Sequence, residues 1–117
     1  VVERASGMPF RQVQLMTCDL FAAQGHPTPA THDEPEEGYN HSVGHGLGLR
    51  VHEMPFSGIN ATEQDALLPG TVFTIEPGLY YPSRGMGCRI EDTYYTRPDG
   101  TFERLAEYPY DLVLPIK

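Results

Sequence analysis

The stretch from His41 to Glu53, His-Ser-Val-Gly-His-Gly-Leu-Gly-Leu-Arg-Val-His-Glu, puts glycine at positions 44, 46 and 48. Each glycine costs a helix about 1 kcal/mol relative to alanine, so extended or turning backbone is expected here. Glycine at such positions also lets another group approach the chain closely. The spacing of His41 and His45 therefore does not place them on one helical face, as in the helical His-x-x-x-His of zinc peptidases. A dinucleotide-binding loop fits poorly too, because no βαβ unit surrounds the glycines. His41, His45 and His52, three imidazoles close together in the chain, point instead to a metal site.

Two later acids complete the pattern: Glu76 in Thr74-Ile75-Glu76-Pro77-Gly78 and Glu91 in Arg89-Ile90-Glu91-Asp92. Residues 71–75 are β-branched and aromatic and read as a buried strand running into Glu76. Residues 86–96 read as a second strand, closed by a Pro98-Asp99-Gly100 turn. Strand alternation puts Val72, Thr74 and Glu76 on one face, and Arg89, Glu91, Thr93 and Tyr95 on one face of the other strand. If the strands are neighbours, Glu76 and Glu91 converge beside Thr74 and Arg89. Two carboxylates in an apolar layer repel one another and call for a cation between them. Arg89 in a structural ion pair meets that need, and so does a divalent metal with His45 as nitrogen ligand. Unrelated surface acids are the third reading.

The flanking segments give the fold class. Residues 9–24 read as an amphipathic helix with Phe10, Val13, Met16 or Thr17, and Leu20 at helical spacing. Pro9 suits its first position and Gly25 the residue past its end. Three prolines and the acidic run 33–37 make residues 25–38 a solvated surface loop. A short capped segment runs from Thr62 to Leu68, and a closing apolar strand from Leu112 to Ile116. One helix followed by a mostly β half is an α+β pattern.

Composition bounds the rest. At 117 residues the chain is one domain at most. It has no apolar run near the roughly 18 residues of a membrane span, and no charged-then-apolar signal segment opens it. Acidic residues outnumber basic ones 16 to 8, for a formal charge of -8, which argues against nucleic acid as a partner. Cys18 and Cys88 lie far apart, so a disulfide framework is not expected and a reducing, cytoplasmic setting is. The chain opens on Val1 rather than Met, and a fragment or a processed product is expected.

In order, the motifs are His-x-x-Gly-His-Gly-x-Gly, His-Glu-x-Pro, Thr-Ile-Glu-Pro-Gly and Arg-Ile-Glu-Asp. Spread over residues 39–95, they resemble the pita-bread-fold metallopeptidases: methionine aminopeptidases, Xaa-Pro aminopeptidases, prolidases and creatinase. The resemblance implies a curved antiparallel sheet with a packed helix. It also implies two divalent ions sharing a bridging water, Mn2+ first among them, with Co2+, Zn2+ and Fe2+ as alternatives. His45 and Glu76 match metal ligands, and Glu91 matches the glutamate that bridges the two ions. His52 matches a histidine that contacts substrate and moves protons. His41 is similar to a histidine of the proline-selective branch, and Arg89 to an arginine that supports the site. The implied reaction is hydrolysis of an N-terminal peptide bond next to proline, with a peptide carrying proline second as substrate. A homo-oligomeric parent is compatible with this resemblance.

The family's centre uses five protein ligands, two of them aspartates upstream of the matching helix. No Asp-x-Gly with a downstream aspartate precedes His41, and neither Asp19 nor Asp33 stands in for them. The expectation is therefore a single partial domain over 1–117, the C-terminal half of a catalytic domain, inactive alone. Competing readings are a non-catalytic peptide-binding module of the same fold and a creatinase-like hydrolase.

Overall fold

The computed structural model of the chain describes residues 7–114. Its helix, α1 (Phe10–Ala23), begins one residue later than expected. Pro9 is the N-cap, with φ -55° and ψ 130°, still in extended conformation and bridged to Ala66. The Phe10 N–H donates to the Asp65 carbonyl at 2.7 Å, which anchors the helix start to the 62–68 turn. At the other end Gly25 takes φ 85°, as a residue past a helix end should. The His26 N–H reaches back to the Phe21 carbonyl at 3.0 Å and that of Gly25 to Ala22 at 2.9 Å, a Schellman closure.

The buried stripe of α1 keeps the expected Phe10 and Val13 and departs from the expected one beyond them. Phe10, Val13, Gln14 and Cys18 are buried, whereas Met16 and Leu20 are 43% and 54% exposed. The polar Gln14 takes a core position because its amide is fully used: Nε2 donates to the His41 carbonyl, and Oε1 accepts from the Tyr39 hydroxyl and the Val43 N–H. A buried amide bonded in this way avoids the cost of unpaired polar atoms. The helix is thereby tied to the residues leading into the His/Gly motif.

Strands β1 (His45–Gly46), β2 (Glu53–Phe56), β3 (Val72–Ile75), β6 (Asp92–Thr96) and β7 (Phe102–Arg104) form an antiparallel sheet in the order β2-β1-β3-β6-β7. Strands β4 (Gly78–Tyr81) and β5 (Met86–Arg89) pair separately. The single strand expected over 86–96 is thus two. Val72↔Tyr95 through Ile75↔Asp92 and Gly78↔Arg89 through Tyr81↔Met86 nevertheless keep one common register. The two ladders are one long hairpin, interrupted at Glu76-Pro77 and Ile90-Glu91. Pro77 has no N–H to give a ladder; its carbonyl accepts from Ile90 at 3.3 Å, and the Glu76 N–H turns to the Val43 carbonyl at 2.7 Å. Glu76 and Glu91 stand opposite one another at that break.

The core is small and aromatic. Phe73 of β3 lies edge-on to Phe10 at 5.4 Å and Phe102 at 5.3 Å, and stacks on its ladder partner Tyr94 at 5.8 Å. Tyr39, Val43 and Leu67 close it from the loops. The closing strand expected at Leu112 to Ile116 does not form over Leu112–Leu114, which are exposed coil, and Pro115 and Ile116 lie outside the described residues. The last strand is instead β7, reached through the expected Pro98-Asp99-Gly100 turn. No helix among the described residues is long and apolar enough to cross a membrane.

Candidate metal centre

His45 sits on a backbone hemmed in from both sides. A Cβ on Gly44 would lie 1.9 Å from the Thr74 carbonyl oxygen, and one on Gly46 would lie 2.1 Å from the Met54 carbonyl oxygen. The glycines flanking His45 therefore let β1 sit between β2 and β3 at the distance where its ring reaches the end of β3. Ser57 fastens the same point, accepting from the Gly44 N–H at 2.9 Å and donating to the Gly44 carbonyl at 2.6 Å.

His45, Glu76 and Glu91 each offer a ligand atom, all within 4.8 Å of one another. His45 is 9% exposed and Glu76 8%, while Glu91 is open to solvent. The Nδ1 of His45 lies 3.0 Å from the Gly46 carbonyl, which can only accept, so Nδ1 carries the hydrogen. In the neutral ring Nε2 then presents a lone pair, 3.1 Å from Glu76 Oε1. Two acceptors at that distance require a proton or a cation between them. Holding a ring by its outer N–H is also how metal-bound histidines are oriented. Thr74 completes the arrangement: its hydroxyl accepts from the His45 N–H at 3.1 Å and donates to Glu76 Oε1 at 3.3 Å. An imidazole with two carboxylates, pre-aligned in this way, fits a divalent ion of the Mn2+ to Zn2+ range.

Arg89 reaches the other oxygen of Glu76, Nη1 to Oε2 at 3.4 Å, so the structural ion pair and the metal set share one carboxylate. Its Nε donates to the Tyr80 hydroxyl at 2.7 Å, and that bond is the leading influence pushing the guanidinium pKa further up. The His52 ring lies 4.3 Å from that of His45, on the solvent side. His41 joins the group through Tyr80, with ring centroids 5.5 Å apart. Its Nδ1 donates to the Ser42 carbonyl at 2.7 Å, and its Nε2 is buried without a partner among the described residues. Such an orphaned acceptor is suited to a hydrogen bond from a ligand.

Tyr80 escaped the sequence reading. The signal for it was the parity of Glu76, Gly78 and Tyr80 on one strand face: a Cβ on Gly78 would lie 2.4 Å from the Tyr80 hydroxyl oxygen, so the glycine leaves room for that hydroxyl to meet Arg89. Gln14 escaped it as well, because a search for apolar periodicity passes over a buried amide.

A family model of metallopeptidase family M24 matches residues 2–98 of the chain. An Xaa-Pro dipeptidase of Pyrococcus horikoshii is 44% identical over 77 residues, 66% of this chain and 21% of that protein. The crystal structure of the prolidase from the same organism matches with a TM-score of 0.74 at 34% identity, over 96% of this chain and 29% of that one. That of an X-prolyl aminopeptidase from Caenorhabditis elegans, described as a cytosolic enzyme with a di-nuclear active site, matches with a TM-score of 0.63 at 27% identity, over 89% of this chain and 17% of that one.

The chain belongs to metallopeptidase family M24. The α-helix and antiparallel sheets of the described residues are part of the prolidase, or pita-bread, fold, so the resemblance drawn from the four motifs is borne out. The chain spans 20% to 27% of the length of the curated relatives it matches first.

Proposed function

We propose that these residues are the C-terminal half of the catalytic domain of a metal-dependent aminopeptidase of the Xaa-Pro type. The observation that carries this reading is the convergence within 4.8 Å of His45, from β1, with Glu76 and Glu91, which face one another at the break of the long hairpin. In this reading all three are ligands of a two-ion centre, Mn2+ first among candidates. Divalent ions there supply a water of lowered pKa and polarisation of the scissile carbonyl.

The chain's own residues do the remaining work. Thr74 and Arg89 fix the two oxygens of Glu76, so that its carboxylate cannot rotate away. His52, on the solvent side beside His45, is positioned to contact the substrate carbonyl and pass a proton to the leaving nitrogen. His41, with an unpaired Nε2 beside Tyr39 and Tyr80, accepts a hydrogen bond from substrate. The substrate is a peptide with proline at its second position, and the setting is cytoplasmic. The similarity to the Xaa-Pro dipeptidase of Pyrococcus horikoshii and the X-prolyl aminopeptidase of Caenorhabditis elegans supports the substrate class. The latter, a cytosolic enzyme with a di-nuclear active site, supports a cytosolic setting and a two-ion centre.

No aspartate joins the three ligands among the described residues. The 117-residue chain is therefore expected to bind Mn2+ without turning over an Xaa-Pro dipeptide. A longer product of the same gene that brings two aspartates to the centre is expected to be active, and inactive as His45→Ala. Hydrolysis by the 117-residue chain that disappears in His45→Ala would contradict the division of the centre. A longer product carrying those aspartates that binds Mn2+ yet cleaves no Xaa-Pro peptide would contradict the activity.

A further inference from the structure

Between the ladder partners Gly46 and Glu53 the chain makes a six-residue excursion, residues 47–52, whose last residue is His52. Almost nothing apolar holds this loop. Leu49 is 105% exposed and Val51 67%, and Arg50 and His52 are also exposed. Its start is fixed where the Leu47 N–H donates to the Val72 carbonyl at 2.9 Å. Its turn is closed by the Gly48 N–H on the Arg50 carbonyl at 3.1 Å.

The other fastening comes from the first residue of β2. Oε2 of Glu53 accepts from the Arg50 N–H at 3.0 Å, and the Glu53 carboxylate fills the space where Gly48 lacks a side chain. A Cβ on Gly48 would lie 2.2 Å from Oε1 and 2.7 Å from the carboxyl carbon, so this glycine is the seat of the carboxylate. Gly48 is not among the positive-φ glycines, so close approach rather than backbone conformation explains it. A carboxylate accepting a backbone N–H is a charge-assisted bond, stronger than a neutral one.

We propose that Glu53 is a positioning residue: its carboxylate, seated on Gly48 and bonded to Arg50, pins the 47–52 loop and so holds the His52 ring against His45. The inference deepens the proposed function, since it rests on His52 acting there, and it gives the acid of the His-Glu-x-Pro motif a task. Glu53 is not one of the three clustered ligand residues. It acts through the loop backbone.

Three variants of the chain test this: Glu53→Gln, which keeps an acceptor oxygen; Glu53→Ala, which removes it; and Gly48→Ala, which displaces the carboxylate without deleting it. The first readout is the nuclear Overhauser cross-peak between the His45 and His52 ring protons in the metal-free chain. It is expected in the native chain and in Glu53→Gln, and lost in Glu53→Ala and Gly48→Ala. Mn2+ affinity is expected to stay within about twofold throughout, because no ligand moves. In a catalytically active longer product, Glu53→Ala is expected to lower kcat about tenfold or more while KM changes less than about threefold, with Glu53→Gln restoring most of the loss.

Retention of the cross-peak in both Glu53→Ala and Gly48→Ala would overturn the proposal. So would equal loss in Glu53→Gln and Glu53→Ala. If Glu53→Ala does not fold, Gly48→Ala decides alone. If the native chain binds no Mn2+ yet the cross-peaks follow the expected pattern, the assignment of His45, Glu76 and Glu91 as a metal set in this chain fails and the loop clamp stands.

Discussion

Thr74 shows how one hydroxyl serves two partners at the centre, taking the His45 N–H and giving its hydrogen to Glu76. Thr74→Val keeps the shape and leaves the buried His45 N–H without its acceptor. It is expected to cost about 1–3 kcal/mol by urea denaturation and to weaken Mn2+ binding about tenfold or more, as loss of an outer-shell partner does. Gln14→Leu is expected to cost at least as much in stability, because it strands both the Tyr39 hydroxyl and the Val43 N–H. Thr74, Glu76, Arg89 and Glu91 were legible in the sequence, because alternation along a strand fixes which side chains share a face; His45 joined them through the His/Gly motif and the family resemblance. Gln14 and Tyr80 were not. Their roles depend on partners 25 to 29 and 9 residues away, which no periodicity encodes.

At the scale of elements, the long hairpin and β1 do the positioning. The sequence showed that residues 71–76 and 86–96 were strand-like and could be neighbours. It did not show the interruption, because residues 86–96 carry no proline; the break is imposed from across the ladder by Pro77 and by the turn of Glu76 toward Val43. That break is what lets two facing acids leave the ladder and meet a third strand. The approach of β1 to β3 depends on Gly44. Gly44→Ala drives a methyl into the Thr74 carbonyl and is expected to destabilise the chain by about 1–3 kcal/mol or more, as overpacking does. Mn2+ affinity should fall with it, since His45 moves with the strand. Circular dichroism during urea titration, followed by Mn2+ titration of the folded fraction, checks both outcomes.

For the whole molecule, α1 and the sheet leave an apolar groove of about 340 Å3, lined by Val13, Met16, Leu20, Val43, Ile75 and Pro77. The helical spacing put Met16 or Thr17, and Leu20, on the apolar stripe of the helix; here Met16 and Leu20 form the lip of this groove. Replacing both by glutamate is expected to lower the binding of a hydrophobic dye severalfold, with the melting temperature little changed because neither side chain is buried. Unchanged dye binding would show that the groove is not what the dye meets. The meeting of His45, Glu76 and Glu91, the proposed metal centre, at the junction of two sheets and one glycine-flanked strand is a property of this same assembly. One titration examines it as a whole: Mn2+ into the chain and into His45→Ala, Glu76→Gln and Glu91→Gln, followed by calorimetry. Saturable binding by the chain, weakened about tenfold or more by each substitution, is the predicted result. Four indistinguishable isotherms would contradict it.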